Sequence, residues 1–221
     1  MANNTKIKSD TKLIQCCDEI LGDYIAERWK FVADINSTAE KSYHLESASG
    51  NWNVRLNAHG QTVPVVSLQN EFFMSLSFSF KPNGQKLDFK GISLQFYDVR
   101  KLLFRAEWDN WEIKKEESNE DEDMKQHPQP HWHLGDSKGV GVTERVAPTF
   151  QAYIQNSNYK QFEEQIRERE KRDLSRLHFF MRMDEDKAQP ICYDLTIETD
   201  FKQWLKETMR SVNQELSYLS K

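Results

Sequence analysis

The spacing of apolar residues changes along the chain, and the changes mark out its elements. From Lys12 to Val32 they fall at Leu13, Ile14, Cys17, Ile20, Leu21, Tyr24, Ile25, Phe31 and Val32. That spacing predicts one amphipathic helix with a wide stripe, capped at its start by Asp10 or Thr11. Between Gly50 and Asn110 the period becomes two. "NWNVRL" alternates Trp52, Val54 and Leu56 with polar residues, and "FFMSLSFSF" sets Phe72, Met74, Leu76, Phe78 and Phe80 against Ser75, Ser77 and Ser79. Each pattern predicts a strand with one buried and one polar face.

Pro82, Asn83 and Gly84 in "KPNGQK" form a turn signal. "ISLQFYDV" and "LLFRAEWDNW" then return as strands, and the short connections make neighbours antiparallel. Residues 114–126, "KKEESNEDEDMKQ", are too polar to offset the entropy of ordering them, which predicts an acidic flexible loop. The sheet resumes at "HPQPHWHL", where Pro128 and Pro130 exclude a central-strand position before His131.

Residues 157–174 predict a charged helical arm, narrowly apolar at Tyr159, Phe162 and Ile166 and laced by pairs such as Glu163 with Arg167. Two more strands are expected at "RLHFFMRM" and "ICYDLTIE". Asp200 and Gln203 resemble a capping box opening a last amphipathic helix that carries Phe201, Trp204, Leu205, Met209, Val212 and Leu216. The fold expected is therefore α+β: one domain over residues 1–221, with a mostly antiparallel sheet of roughly five to seven strands. The N- and C-terminal helices cover the sheet, and the charged helix projects from it.

Composition adds size and setting. With 221 residues, 38% hydrophobic and 12% aromatic, the chain is long enough to bury on the order of 70% of the surface exposed when unfolded. A formal net charge of −5 with both signs interspersed argues against general affinity for DNA or RNA, which requires a concentrated cationic surface. The three cysteines, Cys16, Cys17 and Cys192, have no metal-type CxxC spacing and suit a reducing compartment. No stretch reads as a signal peptide or a membrane span, so a cytoplasmic setting is expected.

The most pointed chemistry lies in "HPQPHWHL". On a strand, residues two apart share a face, which puts His131 and His133 together and Trp132 opposite. Such a pair suits zinc or another divalent metal if a third ligand joins. His178 is the first candidate for that ligand and His127 the second, with Glu107 or Asp109 completing or orienting the site. The same imidazoles suit metal-free acid/base chemistry near neutral pH, or they serve only as structural or interface residues. Glu144 comes too late for a cupin pattern, Asp109 is too close to Glu112-x-Lys114 for a restriction-type nuclease, and no phosphate-binding glycine loop or GxSxG elbow occurs.

The strand "LLFRAEWDN", the segment "HPQPHWHL" and "RLHFFM" leading into a terminal helix resemble small uncharacterised bacterial proteins carrying His-Trp-His. Residues 102–110 and 127–134 are loosely similar to the TumE-type toxin family. That resemblance implies a bacterial toxin-antitoxin or anti-phage setting.

Two functions follow as expectations. One is a non-catalytic accessory subunit that docks onto a larger protein subunit, without a cofactor and meeting nucleic acid only through the complex. Its interface would use Trp132, Phe162, Ile166 and Trp204. The alternative is a small hydrolase or toxin acting on nucleic acid, with His131, His133 and His178 as catalytic or metal-binding residues.

Overall fold

The computed structural model describes residues 5–34, 40–48, 53–55, 62–84, 86–98, 101–110, 112–113, 130–134, 183–184, 189–190 and 193–219. The expected acidic loop and charged arm, with Phe162, Ile166, His127 and His178, lie outside them.

Helix α1 spans Asp10–Leu21 and buries Leu13, Cys16, Cys17, Ile20 and Leu21. Ser9 caps it, its side chain accepting from the Lys12 N–H at 3.2 Å. The cap thus falls one residue before Asp10 and two before Thr11, the expected positions. The helix also ends earlier than expected, at Gly22. Phe31 and Val32 belong instead to strand β1, Trp29–Asp34, which pairs along its length with β2, Lys41–Ser47.

Short strands β3 (Asn53–Arg55) and β4 (Thr62–Pro64) form a separate hairpin, so the expected "NWNVRL" strand lies off the main sheet. β5 (Val66–Ser67) pairs with one end of β6 (Phe73–Asn83). β6 pairs with β7 (Lys86–Asp98), β7 with β8 (Lys101–Asp109), and β8 with β9 (His131–Leu134). The main sheet runs β1-β2-β6-β7-β8-β9 and every pairing in it is antiparallel. The expected Pro-Asn-Gly turn joins β6 to β7, with Gly84 at φ 60, a left-handed value that glycine adopts at little cost.

A small hairpin joins β10 (Met183–Asp184) to β11 (Gln189–Pro190). In place of the expected strand, residues 195–196 form a turn, with Asp194 accepting from the Thr196 N–H at 3.0 Å, and Ile197 makes a single antiparallel bridge to Lys6. Helix α2 spans Glu198–Leu219. Asp200 lies inside it and accepts from the Asp194 N–H, while Gln203 donates to Glu207, so the expected capping box does not form.

One face of the sheet carries Met74, Leu76, Phe78, Phe80, Phe89, Ile92, Leu94, Phe96, Phe104, Ala106 and Trp108, all buried in a core shared with α1 and α2. Both helices therefore cover the same face, in a two-layer α+β arrangement. Lys202 of α2 links them through Glu19 of α1 at 2.6 Å, and Lys12 of α1 reaches Glu198 of α2 at 3.0 Å. Among the described residues no helix is long and apolar enough to cross a membrane.

Candidate functional site on the open face of the sheet

Alternation sends every second residue of the same strands to the opposite face. The registers join six of them into one row across the sheet: Val32, His44, Ser77, Ser93, Glu107 and His131. A second row contains Ser75, Gln95, Arg105 and His133. Ser77 is solvent-exposed although β6 is central, whereas Leu76 and Phe78, its neighbours in sequence, are buried. The face is thus open at its middle. At one end Val65, Phe73, Tyr97 and Leu102 close it with a small apolar cluster.

A polar chain runs from that cluster to the β8–β9 side. Tyr97 donates its hydroxyl to Gln95, Gln95 Nε2 donates to Ser93 Oγ at 3.4 Å, and Ser93 Oγ donates to Glu107 Oε1 at 3.2 Å. Burial pushes the Tyr97 phenol up to about 12, so it remains a donor near neutral pH. The other carboxylate oxygen, Glu107 Oε2, lies 3.2 Å from Arg105 Nε in an ion pair whose N–H is not aligned for a hydrogen bond. Glu107 is therefore held from two sides next to the register position of His131.

Toward the other edge, His44 sits between two carboxylates. Its Nδ1 is 2.9 Å from Asp34 Oδ1 and its Nε2 is 2.9 Å from Glu46 Oε1. These acids approach opposite sides of the ring, so the three groups do not converge on one ion. Among the described residues no three His, Cys, Asp or Glu side chains form a group able to hold a metal. Burial pushes the Cys16 thiol up to about 11 and raises the fully enclosed Cys17 well above the ordinary thiol value, which suits packing rather than nucleophilic chemistry.

The sequence-derived site residues fall in different places. Positions 131 and 133 lie on β9 with the open face, beside Glu107 and Arg105 in register. Trp132 lies on the covered side, half-buried, with its ring 5.9 Å from Phe104. Trp204 is only 3% exposed and packs near Phe201 within the core. Asp109 lies over Gly91 on the open face, where an added Cβ would meet its carboxylate and the Trp108 carbonyl at 3.0 Å each.

Sequence reading missed Arg105, Ser93, Gln95 and His44. The signal for them was the polar half of each alternating strand. Beyond the open face, a cleft of about 870 Å³ between the β6–β7 hairpin and the N-terminal segment mixes Lys6, Lys8 and Lys86 with Asp88 and Asp194. Charges of both signs give it no clear preference for an anion or a cation.

No protein family model, curated protein or solved structure matches the chain.

Proposed function

We propose that the protein is a non-catalytic accessory subunit that presents the open face of its sheet to a larger bacterial protein, in a cytoplasmic anti-phage or toxin-antitoxin setting. The observation that carries this reading is the exposure of Ser77 at the centre of a six-strand path. Around it lie small hydroxyl residues and polar groups already held in place, namely His44 between Asp34 and Glu46, and the ion pair of Glu107 with Arg105. Prior ordering lowers the entropy cost of docking, and paired charges favour a partner of complementary pattern.

The test is co-purification of the tagged full chain from its native cells, compared with Ser77→Arg and Ser93→Arg. The reading expects a stoichiometric protein partner that protects the chain from protease, and loss of that partner in both variants with circular dichroism unchanged. Capture that survives both substitutions removes it.

A second reading is favoured by one register: Glu107 lies opposite His131, and Arg105 opposite His133. Histidines registered opposite an acidic and a basic residue suit histidine-dependent hydrolysis of a phosphodiester, with or without a divalent metal. A His131→Ala/His133→Ala variant should then lose nuclease activity, metal content or both. Identical elemental analysis and identical activity on single- and double-stranded nucleic acid would dismiss it.

A further inference from the structure

The two ends of the main sheet differ. β9 is four residues long and follows Pro130, whereas β1 is a regular six-residue edge paired with β2 in an unbroken register. Among the described residues nothing pairs with the outer side of β1. Natural edges are usually blunted by proline, bulges, brevity or concentrated charge. "WKFVAD" has no proline and no bulge against β2, and its single Lys and single Asp balance.

The backbone of β1 has a defined polarity. The Arg28 carbonyl accepts from the Ala48 N–H at 2.8 Å, in continuation of the β1–β2 register. Antiparallel alternation then turns the backbone groups of Lys30, Val32 and Asp34 toward β2, and those of Trp29, Phe31 and Ala33 off the sheet. An added antiparallel strand must offer its own outward groups to these three.

We infer that β1 pairs with β1 of a second copy, antiparallel about a two-fold axis at Val32, to give a continuous sheet across a homodimer. In this register the opposite charges of the strand itself face each other. Centred on Val32, Phe31 and Ala33 exchange backbone hydrogen bonds with Ala33 and Phe31 of the second copy. Lys30 then stands opposite Asp34 of the second copy, twice by symmetry.

Centring on Phe31 instead sets Lys30 against Val32, and its opposite-charge pair, Arg28 with Asp34, uses a residue that precedes the strand. Registers shifted by one residue set outward groups against inward ones and make no ladder. The side chains concerned reach solvent: Lys30 is 60% exposed and Asp34 43%. Trp29, Phe31 and Val32 are half-buried in the single chain, and the added strand covers them further. Opposite charges directly across an antiparallel pair stabilise it, and two-fold self-pairing is the commonest closed assembly. This inference is independent of the proposed partner protein, because it needs only purified chain.

Sedimentation equilibrium of the full chain is expected to show a reversible dimer. Ala33→Pro removes an outward N–H without touching the β2 ladder and should raise the dissociation constant about tenfold or more. Lys30→Asp should weaken the dimer by setting like charges across the axis, and Lys30→Asp with Asp34→Lys should restore it.

Val32→Cys gives a second, direct readout: an added oxidant should cross-link it across the axis far faster than Lys30→Cys, because only residue 32 meets its own copy. A chain that is monomeric at every concentration overturns the inference. So does a dimer indifferent to Ala33→Pro, or equal cross-linking at positions 30 and 32. A monomer that captures a different protein, and loses it on Ala33→Pro, assigns the edge to a foreign strand and likewise overturns self-pairing.

Discussion

The covered and open faces of the sheet are built from the same strands, one residue apart, yet they are under different constraints. On the covered face Phe80, Leu94, Phe96 and Phe104 are fully buried and packed against two helices. On the open face Ser77 is exposed and Ser93, Gln95 and Glu107 hold one another by hydrogen bonds. The first face carries the apolar burial that drives folding. The second contributes little to stability and is correspondingly free to serve recognition. The difference teaches that residues tied to the core and residues spared that task are interleaved at single-residue spacing along these strands.

Substitutions that separate the two faces should differ most in stability. Phe104→Ala removes a ring stacked on Phe96 at 4.7 Å between centroids and should cost about 3–5 kcal/mol by denaturant titration. A loss below about 1 kcal/mol would mean that the covered face repacks freely.

Gly91→Val tests an open-face position where an added Cβ would meet two atoms at 3.0 Å, tight enough to make a neighbour shift. It should cost about 1–3 kcal/mol, well above its open-face neighbours.

The joint between helix layer and sheet comes next. Asp10, at the start of α1, accepts from Lys41 Nζ at 2.5 Å and from the Tyr43 hydroxyl. Burial works to raise its pKa, but hydrogen bonds from Lys41, Tyr43 and the Thr11 N–H outweigh it and bring the carboxyl from 3.8 to about 2. A lowered folded pKa contributes stability above the unfolded value and loses it as pH falls through the folded one. The contribution is thus complete above about pH 5 and is lost progressively between roughly pH 5 and pH 1. Asp10→Asn should cost on the order of 1–2 kcal/mol at pH 7 and much less at pH 2, read from unfolding curves at both values.

Smallest of all, Ser77→Ala should change stability by less than about 0.5 kcal/mol. A larger loss would show that the centre of the open face is structurally engaged and would erase the contrast.

Much of this was legible in the sequence where alternation was long. From Phe72 to Asp109 the apolar residues mark the covered face, and the order of the three longest strands follows from their short connections. Legibility failed where a short pattern fitted two periods. Phe31 and Val32 extended the helical spacing of α1, but Gly22 ended the helix and pairing with Lys41–Ser47 claimed them as a strand. Tyr193, Leu195 and Ile197 alternated like a strand, yet Leu195 is fully buried from within a turn that Asp194 organises.

The candidate site was half legible. The repeat in His-Trp-His placed His131 and His133 together opposite Trp132. That Glu107 and Arg105 would lie beside them depended on how β9 registers against β8, across 21 intervening residues with no turn signal to set the pairing. His44 was overlooked because only Tyr43 and Leu45 mark its strand.

The sequence by itself determined which residues must leave water and, through their period, the type of each long element. Only the tertiary structure decided which strands are neighbours, which edge is left unpaired, and which polar residues meet across the open face. The physical reason is range: hydrophobic periodicity is a local property of the chain, whereas register and edge are set by pairing between segments distant in sequence, where many local patterns fit equally well.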